Sequence, residues 1–386
     1  MRLIVTTSSY PTRVDEAINA GGFVRDIVVQ LVQLGHSVNV LTPDKGEPIT
    51  GSPVPVHTFR WGGVERVLTR LNPRHPADSL RMACIMLGGC CALKRVCAQV
   101  QAEAILAMWA VPSGYWASST GLPYAVWTLG SDIWGIGRYL WGKAIVRRVL
   151  RRAGYVFSDG LHLADEVSRL TGRRSEFLAS CRTLPVESTP AAQLPENRLH
   201  LLFIGRWDRA KGVDILLEAM EIVLQRVPHV QLHLFGGGSL EKPIRWRASQ
   251  GRLRDGVTVY GFADPATATA YLKACDVLVI PSRLESIPVI YSDALQCGCP
   301  VVATDVGDLG QIVRQHGTGL VCPPEDSDAL AESLCVMASG GPRPRAQYAE
   351  ALSHAVRLFQ PSRSAARCAE VLAQLIVMRN KSNSSI

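Results

Sequence analysis

The stretch Phe203-Ile204-Gly205-Arg206-Trp207-Asp208-Arg209-Ala210-Lys211-Gly212 closes a hydrophobic run and sets two cations, Arg206 and Lys211, ahead of a helical pattern. Gly205 lets the backbone turn between them and the run. Phosphate oxygens call for such a pair, since a guanidinium binds them bidentately and an ammonium meets them as a point charge. A solvated basic loop would look the same, so the stretch gains meaning only beside others. One is Pro281-Ser282-Arg283-Leu284-Glu285-Ser286-Ile287-Pro288, which leads into the helical pattern from Val289 to Cys297. Ser286 is placed to cap that helix with Pro288 in its first turn, and the free N–H groups of the turn would hold an anion. A carboxylate beside a phosphate repels it, so Glu285 suits sugar hydroxyls better. Asp293, two turns into the helix, reads by itself as an exposed helix carboxylate. In a third stretch, Phe235-Gly236-Gly237-Gly238-Ser239, the glycines allow close approach of a ligand or a tight turn.

Elements that could position these loops alternate between strand and helix, the pattern of parallel sheets with crossover helices. Strands are expected at Leu3–Thr6, Ser37–Leu41, Ile105–Met108 and Tyr124–Thr128, with a helix over Phe23–Leu34. The pattern restarts after Leu184–Arg198, which carries three prolines. Strands Leu199–Ile204, Val230–Phe235, Val257–Tyr260, Val277–Ile280 and Pro300–Ala303 follow, with a helix over Val213–Val227. The expected organisation is an α/β chain of two Rossmann-like domains facing across a cleft. The first spans 1–185, a linker 186–198, the second 199–360, and 361–386 form a terminal helix and a frayed tail. In open α/β sheets ligands bind beyond the carboxyl ends of strands, which is where the three stretches lie.

Composition narrows the classes. Of 386 residues, 47% are hydrophobic and 19% charged, which fills ordinary cores and excludes disordered, collagen-like and coiled-coil chains. The 41 Lys+Arg against 33 Asp+Glu leave +8, a balance that favours an acidic partner. Eleven scattered cysteines fit small buried thiols in a reducing compartment, Cys84, Cys181, Cys275 and Cys335 among them. No second Cys or His pair has zinc-like spacing, and Asp326-Ser327-Asp328 precedes an apolar helix that it would cap, so no metal is assigned. The N-terminus reads as a strand without a signal-peptide core. The longest apolar run, Met82–Leu93, is about 12 residues, too short to span a bilayer. A cytoplasmic protein follows, peripheral to a membrane in one reading. Arg138, Lys143, Arg147, Arg148, Arg151 and Arg152 lie beside Tyr139, Val146, Val149 and Ala153 at helical spacing. Such a helix can lie on an anionic surface or pack its apolar stripe on its own domain. Nucleic acid is not expected, because the basic residues lack interleaved aromatics.

GRWDRAKGVDILLEA, the glycine turn, SRLESIPVIYSDALQCGCPVVATDVG and TGLVCPPED together resemble the family 4 retaining glycosyltransferases of GT-B fold (glycosyltransferase group 1). YPTRVDEAINAGGFVRDIVVQLVQLGHSVNVLTP resembles that family's opening strand, glycine loop and helix, and AMWAVPSGYWA and WTLGSDIW its acceptor-side motifs. The resemblance implies transfer of a sugar from a nucleotide diphosphate-sugar to a hydroxyl of a glycan or lipid-linked acceptor, in surface polysaccharide assembly at the inner face of the plasma membrane. It also implies roles. Arg206 and Lys211 would hold the diphosphate in place of a metal, and Glu285 would contact the donor sugar. Asp293, at the second acid of the E-x7-E motif, would bind the ribose hydroxyls. Ser286, Ile287, Pro288 and Val289 would meet phosphates or sugar, with Gly205 and Gly237 on the same donor side. Gly21 and Gly22 would let the N-terminal loop approach the diphosphate. The family often has His before Gly-Ser-Asp, where this chain has Leu129; Asp132 is the candidate to carry part of that role or to cap the following turn. His162 reads as a surface histidine. Two rivals remain: a same-fold epimerase or phosphorylase, and a catalytically impaired nucleotide-sugar-binding protein.

Overall fold

The computed structural model describes all residues except 12–20, 47–51, 63–70, 72–74, 340–343 and 385–386. Most of the loop after the first strand, part of the stretch YPTRVDEAINAGGFVRDIVVQLVQLGHSVNVLTP, lies outside the described residues, as does the side chain of Arg138. Contacts divide the chain into one unit of Met1–Ser180 with Pro361–Ile386, and another of Cys181–Gln360.

In the first unit, β1 (Arg2–Thr6), β2 (Ser37–Pro43), β3 (Val56–Phe59), β4 (Ala104–Met108), β5 (Tyr124–Thr128), β6 (Tyr155–Ser158) and β7 (Glu176–Phe177) form one parallel sheet, in the order β3-β2-β1-β4-β5-β6-β7 among the described residues. Leu3, Ile4 and Val5 are all fully buried, which requires helices on both faces. One face packs on the helices Gly22–Gln33 and Pro361–Ser384 through Ile27, Leu31, Val371 and Leu372. The other packs on the helices Pro76–Gln99, Leu140–Arg152 and Leu161–Thr171 through Ile85, Leu93, Val149 and Leu163. The last helix of the chain therefore returns to the first unit, and it continues to Ser384 where a frayed tail from Arg379 was expected.

One of the two readings of the basic helix holds here, and one cysteine departs from expectation. The apolar stripe Val146, Val149 and Ala153 is buried in the unit's own core, and the exposed face of the helix Leu140–Arg152 carries Lys143, Arg147, Arg148, Arg151 and Arg152. Its exposed apolar groups are instead Leu140 and Trp141, at the N-terminal end. All eleven cysteines are free; Cys181, Cys275 and Cys335 are buried as expected, whereas Cys84 is exposed on the helix Pro76–Gln99. Among the described residues no helix is long and apolar enough to cross a membrane.

In the second unit, β8 (Leu199–Arg206), β9 (Val230–Gly237), β10 (Val257–Val259), β11 (Val277–Ile280), β12 (Val301–Thr304) and β13 (Gly319–Cys322) form a parallel sheet in the order β10-β9-β8-β11-β12-β13 among the described residues. β8 pairs with β9 on one side and β11 on the other, so the strand order reverses between β8 and β11. The loops after these two strands flank that switch point, where a doubly wound sheet opens a crevice. Residues 181–198, divided at the sequence level between the first domain and a linker, are irregular and belong with this unit.

A buried polar chain crosses the same sheet. His200 Nε2 lies 2.8 Å from the Pro195 carbonyl and must carry the proton, leaving Nδ1 to accept from His233 Nε2 at 3.0 Å. His233 Nδ1 then accepts from the Tyr260 hydroxyl at 3.2 Å, which accepts from Tyr271 at 3.2 Å. Burial, reinforced by His200, pushes the His233 pKa down to about 4.

Candidate functional site

Arg206 ends β8 with its guanidinium largely exposed, 3.4 Å from Asp208. The chain then makes one short turn, Arg209–Lys211, closed by Asp208 Oδ1 accepting from the Lys211 amide at 3.1 Å. Gly212 follows at φ +67°, and a Cβ there would lie 1.9 Å from the Pro281 carbonyl oxygen. Only glycine permits that approach, and it presses the loop after β8 onto the loop after β11.

The second loop is fixed from three directions. Arg283 donates to both Asp214 oxygens at 2.7 and 2.9 Å, to Glu325 at 2.6 Å and to the Arg209 carbonyl at 2.8 Å. The Thr304 hydroxyl donates to the Ser282 carbonyl at 2.5 Å. Gly307, at φ +53°, packs where a Cβ would be 2.0 Å from the Glu285 carbonyl oxygen. Held this way, Glu285 receives the Lys211 ammonium directly and the Ser282 hydroxyl at 3.4 Å. Two residues 74 apart in sequence thus form one dyad at the switch point, partly exposed on both sides.

Ser286 does not cap the following helix. Pro288 is the N-cap, without a side-chain hydrogen bond, and the helix runs Val289–Gln296. The Ser286 hydroxyl is buried without a hydrogen-bond partner, and Ile287 and Pro288 are buried beside it. A buried hydroxyl with no partner is costly unless something completes it. It stands one residue from Glu285, just ahead of the helix N-terminus, where amide hydrogens and the helix dipole favour an anion.

Asp293 departs most from expectation. It is neither an exposed helix carboxylate nor open to a ribose: its side chain has no exposed surface, and both oxygens are engaged by Arg182, at 3.1 and 3.0 Å from Nε and 2.5 Å from Nη2. Burial raises its carboxyl above the ordinary value while Arg182 opposes that shift. Gln296, one turn on, brackets the same segment, donating to the Arg182 carbonyl at 2.7 Å and accepting from the Leu184 amide at 3.1 Å.

The glycine stretch is a packing turn. Gly236 lies against Gly205 with room for no Cβ, 1.9 Å from its carbonyl oxygen, and Gly238 closes on the buried Trp207. Gly237 sits under the ring of Phe262, which is 52% exposed. Phe262 and Arg283 were not singled out from the sequence. Nothing local marks either: Phe262 matters because an exposed aromatic covers the glycine that pairs in register with Arg206.

In the first unit, Gly21 has φ +78° and a Cβ there would be 2.7 Å from the Ser9 carbonyl oxygen, whereas Gly22 faces open space. Asp132 is buried and accepts from the Ala110 amide at 2.6 Å and the Leu129 amide at 3.2 Å, tying the loop after β4 to the loop after β5. Burial pushes its pKa up to about 6 against those amides. It therefore fixes backbone, including that of Leu129, instead of presenting a free carboxylate. Trp109 holds φ +71°, unusual for a bulky residue, with its indole on the Ser131 hydroxyl at 3.1 Å and edge-on to Phe23. His162 is exposed, and Asp326 caps the helix Ser327–Ser339 by accepting from the Ala329 amide at 2.8 Å, both as expected.

Two doubly wound units of parallel sheet, the second with a cationic and carboxylate pair at its switch point, define the architecture. Residues 187–354 match the family described as Glycosyl transferases group 1 and the fold is GT-B, both in keeping with the resemblance read from the sequence. It is 32% identical over 186 residues to a D-inositol 3-phosphate glycosyltransferase of Xylanimonas cellulosilytica, covering 47% of this chain and 43% of that one. It is 32% identical over 161 residues to a phosphatidyl-myo-inositol mannosyltransferase of Mycobacterium leprae, covering 41% and 42%. The matches span 33%, 36% and 43% of the first three curated relatives' lengths. In fold it is similar to sucrose-phosphate synthase from Thermosynechococcus elongatus, with TM-score 0.81 and 22% identity over 98% of this chain and 100% of that one. Anabaena HepE in complex with UDP gives TM-score 0.73 and 16% identity over 97% and 100%.

Proposed function

We propose that the chain is a retaining glycosyltransferase that moves a hexose from a nucleotide diphosphate-sugar to a hydroxyl of a glycan or lipid-linked acceptor. The observation that carries this reading is the Lys211–Glu285 dyad at the β8/β11 switch point, beside the exposed Arg206 and the partnerless Ser286 hydroxyl. An incoming diphosphate exchanges partners with the dyad. Its oxygens take the Lys211 ammonium and the Arg206 guanidinium, and Glu285 is released to accept hydrogen bonds from the sugar. The Ser286 hydroxyl and the amides at Val289 complete the anion's shell. In the reaction the acceptor oxygen bonds to the anomeric carbon as the bond to the leaving phosphate breaks on the same face, and the acceptor proton passes to a phosphate oxygen. Charge grows on that leaving group, so cations held in place lower the barrier most there. Transfer then needs no imidazole at Leu129 and no obligatory metal. Asp132 acts at a distance by holding the backbone of Ala110 and Leu129.

A cytoplasmic setting, with peripheral contact to an anionic membrane through Lys143, Arg147, Arg148, Arg151 and Arg152 and the exposed Leu140 and Trp141, belongs to the same proposal. The relatives' names, which include an amylovoran biosynthesis glycosyltransferase of Erwinia amylovora, support a role in surface polysaccharide or glycolipid assembly. Leu129 favours a second reading, a nucleotide-sugar binder without turnover. Both are tested by incubating the protein with UDP-, GDP-, ADP- and dTDP-sugars in EDTA and following slow donor hydrolysis by proton NMR. Release of the sugar first in the donor's own anomeric form is expected. Release of the opposite anomer would refute retention, and binding without any cleavage, with acceptor mixtures added, would favour the second reading.

A further inference from the structure

The first unit has a switch point of its own. Its strand order reverses between β1 and β4, so the loops after those two strands flank a crevice of the kind in which doubly wound sheets bind ligands. The loop after β4 opens with Trp109, which holds φ +71° and ψ 140°, a conformation that a bulky side chain rarely adopts. Such a backbone persists only where its surroundings over-determine it. Here the Trp109 amide donates to the Trp127 carbonyl at 2.8 Å, and its carbonyl accepts from the Gly114 amide at 3.0 Å. The indole N–H donates to the Ser131 hydroxyl at 3.1 Å, and the ring meets Phe23 edge-on with centroids 5.9 Å apart. Glycine would take the same φ without strain and keep both backbone bonds, so those bonds do not explain the indole. Core packing does not explain it either: Trp116 and Trp127 are fully buried, whereas Trp109 stays half-buried at the rim of the core.

What the strained backbone holds in place is an aromatic surface with a hydroxyl at its N–H edge. The Ser131 hydroxyl accepts from the indole and keeps its own proton to donate. Hydrogen-bonding capacity also remains at both strands that flank the crevice. Thr6, the last residue of β1, and Ser113, four residues past Trp109, each bury a hydroxyl with no hydrogen-bond partner. A buried hydroxyl of this kind is costly unless a ligand or an ordered water completes it. A pyranose ring has the complementary form: axial C–H groups make a face apolar, and hydroxyls line its edge. The negative face of an indole attracts such C–H groups, and a ring already fixed by its neighbours loses little freedom on binding. We propose that Trp109 is the platform on which a pyranose ring of the acceptor stacks, with Ser131 at its hydroxyl edge, so that the acceptor is a saccharide. This rests on the glycosyltransferase reading above and deepens it by naming the acceptor class.

The test is saturation-transfer difference NMR on the full chain with methyl β-D-glucopyranoside, methyl β-D-galactopyranoside and methyl α-D-mannopyranoside, against myo-inositol and sorbitol at equal concentration. For at least one glycoside, saturation should concentrate on the C–H protons of one ring face and exceed that of either control by about threefold or more. Trp109→Phe keeps an aromatic ring and should retain that pattern. Trp109→Gly removes the ring, avoids the strain that any other replacement carries at this φ, and should abolish the pattern. No glycoside saturated in wild type, saturation of myo-inositol or sorbitol equal to that of the glycosides, or a one-face pattern that survives Trp109→Gly would each overturn the inference. Titration of the same samples with UDP, GDP, ADP and dTDP reads the donor site separately. A glycoside held at Trp109 by a protein that binds no nucleotide would refute the donor-site reading and leave the saccharide site standing.

Discussion

Replacing Arg182 by Met tests the Arg182–Asp293 pair without any ligand. In wild type the Asp293 carboxylate has no exposed side-chain surface and Arg182 only 10%, with three nitrogen–oxygen distances between 2.5 and 3.1 Å. Arg182→Met leaves a buried carboxylate facing a thioether, and breaking a buried pair in this way costs about 3–5 kcal/mol. In a unit of this size each kcal/mol lowers Tm by about 2–4 °C, so the second unit's transition should fall by about 6–20 °C. The double variant Arg182→Met/Asp293→Leu removes both charges and should recover most of that loss, because two matched apolar groups carry no desolvation penalty. The pH dependence has a definite sign. Asp293 already has its pKa raised by burial, and without Arg182 it rises further. An acid whose folded pKa exceeds its unfolded value destabilises the fold above that pKa and ceases to do so as pH falls through it. The deficit of Arg182→Met relative to wild type should therefore be larger at pH 8 than at pH 5. Calorimetric melts of the three proteins across that range give all the quantities. A single-variant loss below about 1 kcal/mol, or a double variant no more stable than Arg182→Met, would refute the argument.

Three other outcomes follow from the geometry. Lys211→Ala should lower kcat by about 100-fold or more and raise the donor KM by about tenfold, because the contact already holds the bound diphosphate and strengthens as charge develops; near-wild-type turnover in a donor assay would remove the dyad from the mechanism. Stability should fall by about 3 kcal/mol as pH drops from 6.5 to 4, since His233 is held at about 4 and the unfolded chain takes up that proton first. His233→Gln should flatten that slope, and an equal slope in both proteins would contradict the assignment. Gly307→Ala, whose new Cβ would fall 2.0 Å from the Glu285 carbonyl oxygen, should weaken nucleotide binding by about tenfold while leaving the first unit's melting unchanged; unaltered binding would mean that the loop does not depend on that contact.

How far the sequence carried the reading differs between parts of the molecule. Strands buried on both faces are continuous apolar runs, so Tyr124–Thr128 and Val277–Ile280 fall where expected to the residue. β3, β7 and β13 are short or half-exposed and carried no such run. The dyad's members were found one by one from their types and from the loops they end, but nothing in the spacing of Lys211 and Glu285 says that they touch. That follows from Gly212 and Gly307, which bring backbones together. Ser286 was misjudged because a serine ahead of a helical pattern is a cap signal, and Pro288 ended up as the cap. The helix Leu140–Arg152 shows the same ambiguity: its apolar stripe could face a bilayer or a sheet, and only the sheet's need for cover decides. Arg182 carried no signal at all, its partner lying 111 residues away.

The most direct measurement is isothermal titration of wild type and Lys211→Ala with UDP, GDP, ADP and dTDP in EDTA. The account predicts that wild type binds the diphosphate of one base without added metal and that Lys211→Ala binds it about tenfold or more weakly. Wild type that binds none of them, or a variant that binds as tightly as wild type, would contradict a donor diphosphate site at the β8/β11 switch point.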